Sequence, residues 1–162
     1  MQNTTLCYIE KDGSYLMLLR NKKKDDLNEG KWIGVGGHFL EDESPEECLI
    51  REVREGTGLT LNSFLLRSVV TFVSDKYETE QMFLYTSTDF SGELIDCDEG
   101  ELRWIDKKEM YDIPLWEGDK IFLKLMDENQ DYFALKLVYE GDDLRKAILN
   151  GKDITDIPFQ SL

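Results

Sequence analysis

The chain has 162 residues, with 34 Asp and Glu against 19 Lys and Arg, and its formal net charge of −15 argues against nucleic-acid polymers and anionic membranes as partners. Hydrophobic residues make up 41% and charged residues 33%, the composition of a soluble globular protein, and the length suits one domain over residues 1–162 with a full core. No apolar run reaches the roughly 18 residues that cross a bilayer, no basic n-region marks a signal peptide, and the odd, widely spaced Cys7, Cys48 and Cys97 read as reduced thiols, so a cytoplasmic monomer or homodimer is expected.

In chain order, residues 4–10 (TTLCYIE) read as a strand, Lys11-Asp12-Gly13 as a turn, and 15–19 (YLMLL) as the returning strand. Residues 20–31 form a polar, mixed-charge loop, and the short apolar piece 32–35 leads into Gly36 and Gly37. Ser44 offers an N-cap, Pro45 suits the first helical position and Glu47 completes a capping box, which predicts a helix over 45–55 with Leu49 and Val53 facing the core. Strands are predicted over 63–73, 78–86 and 101–105. A short helix should start near Asp106, a second should span 117–127, and a late strand should cover 132–139. Strands before and after helices give an α/β (α+β) class, a mixed sheet sandwiched between helices. The sequence holds no internal repeat, low-complexity segment or linker.

From Gly36 to Leu59 the chain packs seven carboxylates into 24 residues. Positions three and four apart share a helix face, so Glu52 and Glu55 project together, and Arg51 reaches acids on its own side. The glycines upstream let backbone carbonyls approach. A loop carbonyl with two helix carboxylates is an oxygen cage suited to a hard divalent ion, Mg²⁺ or Mn²⁺. An acidic amphipathic helix alone is more often just a solvated surface helix, and the spacing is what argues otherwise. Gly37, five residues, Glu43, seven residues, then Arg51-Glu52-Val53-Arg54-Glu55-Gly56-Thr57-Gly58-Leu59 resembles the Nudix box, G-x5-E-x7-R-E-U-x-E-E-x-G-U, with U a bulky aliphatic residue. Every fixed position matches except Gly56, which replaces the second Glu of the E-E pair.

The resemblance implies a Nudix-type fold and a metal-dependent hydrolase acting on a nucleoside diphosphate linked to another group. Carried over by position, Glu52 and Glu55 are catalytic and bind metal, with Glu52 placed to orient or deprotonate water. The Gly36 carbonyl is a further metal ligand, Glu43 and Arg51 form a structural ion pair, and Gly37 and Gly58 are structural glycines. Beyond the box, Trp32 and the run Gly34 to Gly37 resemble MutT-type members that clear oxidised purine triphosphates. Asp98-Glu99 followed by Trp104 resembles the stretch that supplies another metal-binding Glu, here Glu99. Pro114-Leu115-Trp116-Glu117-Gly118-Asp119 resembles their base-binding segment, which implies that Trp116 stacks on a purine and Asp119 hydrogen-bonds its edge. Trp116 as a core aromatic and Asp119 as an ordinary early-helix acid stay open. Arg20 and Lys22 to Lys24 read either as triphosphate contacts or as a solvated loop, and His38 as a candidate phosphate contact.

The function implied is cleavage of a small nucleotide substrate, 8-oxo-dGTP or a related purine triphosphate, to monophosphate and pyrophosphate. Three departures bear on it. Gly56 removes a carboxylate and suggests that the helix ends at Gly56 or Gly58 in the left-handed conformation, with Glu47 or Asp98 as replacement ligands. Ile33 stands where the human member has a purine-binding Asn, and Gly118 replaces an Asp. The alternative is a catalytically impaired domain that binds nucleotide as a sensor or partner module.

Overall fold

The computed structural model describes residues 1–22, 26–129 and 131–162. β1 (Gln2–Lys11) and β2 (Ser14–Arg20) form a hairpin whose turn residues, Asp12 and Gly13, both have positive φ. Such turns match the right-handed twist of the strands they join. β3 (Trp32–Ile33) and β4 (Val35–His38) lead into α1 (Pro45–Thr57), followed by the long β5 (Thr60–Ser74) and β6 (Glu80–Ser91), then β7 (Gly100–Asp106). A 3₁₀ turn at Lys107–Asp112, capped by the Asp106 side chain, precedes α2 (Glu117–Glu128). β8 (Phe133–Glu140), β9 (Asp143–Leu149) and β10 (Lys152–Asp153) close the chain.

Among the described residues the strands join in one mixed sheet, ordered β10-β9-β8-β5-β6-β1-β2-β3, with β4 also paired to β1 and β7 to β2. β1 runs parallel to β6, and β5 parallel to β8. The central strands are buried on both faces, as period-two alternation allows. In β1, Cys7 and Ile9 join the cluster under α1 with Leu49, Val53 and Tyr85, whereas Leu6 and Tyr8 join the cluster under α2 with Phe122, Leu123 and Met126. Leu49 and Val53 are fully buried, each contributing about 1.5–3 kcal/mol. The expected α+β sheet between helices is therefore what the chain forms.

Five elements differ from the sequence expectation: α1, β5, β6, β9 and β10. α1 continues through Gly56 to Thr57, because Gly58 alone takes the left-handed cap (φ 83°) and donates to Arg54 O at 2.9 Å. β5 and β6 run further than predicted. The hairpin β8–β9, extended by β10, was not foreseen beyond β8: Asp143–Leu149 buries only Ala147 and so lacks the alternation of a half-buried strand.

Candidate active site

The glycines of β4 are fixed by close approach. Gly36 lies opposite Leu6 and Gly37 opposite Thr5 in the β1–β4 pairing. A Cβ on Gly36 would overlap the Thr5 carbonyl, and one on Gly37 would overlap the Glu52 carboxylate. The capping box forms as expected: Ser44 Oγ accepts from Glu47 N at 3.1 Å, and Glu47 Oε1 accepts from Ser44 N at 3.0 Å. Glu47 is thereby committed to the cap and does not replace the acid missing at Gly56.

Arg51 ties the loop to α1. Its Nε and Nη2 donate to Glu43 Oε2 and Oε1 at 2.7 and 2.9 Å, and Nη2 also donates to His38 O at 3.0 Å. The Arg51 bonds hold the Glu43 carboxyl below the usual carboxylate range. The remaining nitrogen, Nη1, donates to Glu52 Oε1 at 2.7 Å and Glu55 Oε2 at 3.1 Å. Glu52 and Glu55 thus do share a face, bridged by one guanidinium.

Both open onto a cavity of about 180 Å³ together with Gly36, Gly56, Asp98 and Glu99, walled by Leu18, Val35, Cys97 and Leu102. Burial pushes the Glu52 carboxyl up, Arg51 opposes this, and neighbouring Glu55 and Glu99 add to it. Hard oxygen donors that repel one another suit a divalent cation, which would relieve that repulsion. The donor chemistry fits, but the cage is not closed: among the described residues no three His, Cys, Asp or Glu side chains converge tightly enough to hold an ion. Glu52 and Glu55 bend to Arg51, and Glu99 Oε2 accepts from Arg20 Nη1 at 2.8 Å. A Cβ at Gly56 would lie 3.7 Å from Val35 Cγ1, an ordinary contact, so the backbone here does not demand a glycine.

Arg20 lines the adjoining cleft, yet its Nε donates to Asp26 Oδ2 at 2.6 Å, so the charge it would offer a phosphate is shared with two acids. Lys22 Nζ donates to Cys97 O at 2.7 Å. Lys23 and Lys24 lie outside the described residues. His38 is exposed at the cleft edge.

The cleft, about 610 Å³, runs from Gly36, Gly37, His38 and Glu52 to Leu27, Asn28, Ile33, Glu80 and Met82. There it narrows into a pocket that also takes in Leu6, Phe72, Trp116 and Asp119. Trp116 is only 4% exposed. Its Nε1 donates to Asn28 Oδ1 at 2.8 Å, Lys31 Nζ sits 4.2 Å from its ring centroid, and Phe72 and Tyr139 meet it edge-on at 5.5 and 5.0 Å. It is thus both a packed aromatic and a pocket wall. Asp119, in the first turn of α2, is pushed up to about 8 by burial, an effect Lys31 opposes. A neutral carboxyl there both donates and accepts hydrogen bonds. Gly118 also finds its reason here: a side chain would overlap Leu137 and come within 2.7 Å of the Tyr139 hydroxyl, which accepts the Gly118 N–H at 2.7 Å.

Sequence reasoning missed Leu27, Asn28, Phe72, Glu80, Met82 and Tyr139. Strand alternation could have put Phe72 and Met82 on inward faces, but the pairings that bring them beside Leu6, β5 antiparallel to β6 and β6 parallel to β1, leave no local mark in the sequence.

The model of the NUDIX domain matches residues 2–126. The uncharacterised Nudix hydrolase YvcI of Bacillus subtilis is 29% identical over 135 residues, covering 80% of this chain and 82% of that protein. The oxidised purine nucleoside triphosphate hydrolase of Danio rerio is 24% identical over 141 residues, covering 86% and 88%. The crystal structure of the mutator MutT protein from Bacillus halodurans superimposes with a TM-score of 0.83 at 25% identity, covering 94% of this chain and 99% of that one.

Proposed function

The chain belongs to the NUDIX family of hydrolases, which act on nucleoside diphosphate derivatives and generally use divalent metals, and we propose that it cleaves a purine nucleoside triphosphate to monophosphate and pyrophosphate with Mg²⁺ or Mn²⁺. The observation that carries this reading is the continuous cleft that links the Trp116–Asp119 pocket to Gly36 and Glu52. The base lies against Trp116 and is read by Asp119, and the phosphates lie along the cleft toward Glu52 and Glu55. When bound, the metal neutralises phosphate oxygens and lowers the pKa of the attacking water. Glu52, Glu55, Glu99 and the Gly36 carbonyl would hold it once the three carboxylates turn from Arg51 and Arg20 toward the cavity they line, with Asp98 the reserve acid in the same cavity. Glu52 accepts the proton of the attacking water, while Arg51, anchored by Glu43, fixes where Glu52 and Glu55 point. His38 and Arg20 face the phosphates from the cleft walls. The relative named for oxidised purine triphosphates supports 8-oxo-dGTP as the first substrate to try.

The whole of residues 1–162 acts as one catalytic domain on this reading, since Tyr139, from β8 beyond the family match, packs on Trp116. The three free cysteines are buried, which supports a reducing, cytoplasmic setting. Among the described residues no helix is long and apolar enough to cross a membrane.

The test is release of monophosphate and pyrophosphate across a nucleotide panel with Mg²⁺ and with Mn²⁺. Turnover of purine triphosphates is expected, and its absence from every nucleotide removes the catalytic reading. Gly56 favours a second reading, a silent nucleotide-binding module. Tight nucleotide binding by calorimetry without hydrolysis, and turnover gained in Gly56→Glu, would select it.

A further inference from the structure

The nucleobase pocket contains a second carboxyl, Glu80, for which the box and its neighbouring motifs give no role. Its placement follows from strand register. Glu80 opens β6 directly across from Phe72 of β5 and Gln2 of β1, and Met82, two residues on, lies across from Val70 and Thr4. Residues two apart on a strand share a face. Leu6, Met82, Glu80 and Phe72 therefore form one wall, and all four line the pocket that holds Trp116 and Asp119.

Glu80 is half-buried. Its Oε2 accepts from Thr4 Oγ1 at 3.3 Å, and among the described residues its Oε1 has no hydrogen-bond partner. Burial pushes this carboxyl up, while nearby His38 and the Thr4 hydroxyl oppose the shift. A carboxylate in so apolar a setting needs donors, and a ligand can bring them. The same pocket has Ile33 as a purely apolar wall, so polar contacts to a base must come from elsewhere.

We propose that Glu80 is a specificity-determining residue, whose free carboxylate oxygen accepts from the exocyclic amino group of a guanine-type base. The proposal rests on the reading of this pocket as the base site. A neutral Asp119 offers one donor and one acceptor, which match the adjacent O6 and N1–H of guanine. Glu80 then supplies the acceptor for the 2-amino group beside them. Adenine presents an acceptor at N1, and hypoxanthine lacks the 2-amino group, so neither satisfies both carboxyls.

The experiment is calorimetry of the full chain with GMP, IMP and AMP, for wild type, E80Q and E80D, with melting temperatures recorded alongside. Wild type should bind GMP about tenfold more tightly than IMP or AMP, the range expected for a hydrogen bond to a charged group. E80Q, which removes the negative charge and replaces one of the two acceptor oxygens by a donor, should cut that preference to about threefold or less. E80D should keep part of it. If E80Q retains the preference, or weakens all three nucleotides alike, Glu80 does not read the base although the pocket remains a base site. A wild type that favours AMP overturns the proposal in the same way. Failure of wild type to bind any of the three sinks the base-site reading itself, and the proposal with it.

Discussion

Asp119→Asn isolates the electrostatic state of the proposed base pocket. In the fold Asp119 is buried, with a pKa of about 8, against 3.8 for the free side chain. The folded form therefore prefers the protonated acid. Stability from this group is complete below about pH 4, falls as the pH rises, and is lost once the pH passes about 8. At pH 7 the unfolded carboxyl is ionised and the folded one is not. At about 1.4 kcal/mol per pH decade this costs the native state at most about 4 kcal/mol. Asn is neutral at every pH and nearly isosteric, so D119N escapes the cost. Urea denaturation of both proteins from pH 4 to 8 should show a difference near zero at pH 4 that grows in favour of D119N toward pH 8. Taking the difference cancels the other titrating groups, provided they do not couple to this site. A difference that stays flat with pH would mean that Asp119 is solvated or ionised in the fold, and the case for a neutral donor in the pocket would fail.

Tyr139→Phe keeps the ring against Phe72 and Trp116 but leaves the buried Gly118 N–H without its acceptor. It should cost about 1–3 kcal/mol in chemical denaturation and raise KM for nucleotide more than it lowers kcat. Arg51→Gln breaks the bidentate link to Glu43 and releases Glu52 and Glu55 together, so it should lower turnover at least tenfold while changing the melting temperature little, as expected for solvent-screened pairs. Gly56→Glu places a carboxylate where Val35 leaves room, and Gly is the poorer helix former by about 1 kcal/mol relative to Ala, so the variant should fold at least as stably and turn over faster. A slower or unfolded variant would contradict the reading of that position.

What the sequence made legible was local. Ser44 and Glu47 announce the start of α1, and helical spacing alone brings Glu52 beside Glu55 and Arg51 within reach of Glu55. The Glu43–Arg51 pair followed from the box. The end of α1 was misjudged because Gly56 looks like a stop. Thr57 holds the last turn instead, fully buried, with its Oγ1 donating to Val53 O at 2.6 Å. The proposed base pocket was half legible, Trp116 and Asp119 from their motif, whereas Glu80 and Met82 arrive through the parallel pairing of β1 with β6, and Phe72 through the antiparallel pairing of β5 with β6. The reason for Gly118 lies in Leu137 and Tyr139, on a strand whose neighbour in the sheet no local pattern reveals. The engagement of Arg20 by Asp26 and Glu99 is likewise a product of the tertiary fold.

On the proposed function, carboxylates gathered at α1 promote metal-dependent cleavage of a nucleotide phosphoanhydride. The rate of pyrophosphate release from a purine triphosphate by wild type and Glu52→Gln, each with Mn²⁺ and with a chelator, decides this. Wild type should turn over only with the metal, and E52Q should be at least about 100-fold slower while melting at a similar temperature. Release that persists with the chelator, or that is the same in E52Q, would rule out metal-dependent cleavage through Glu52.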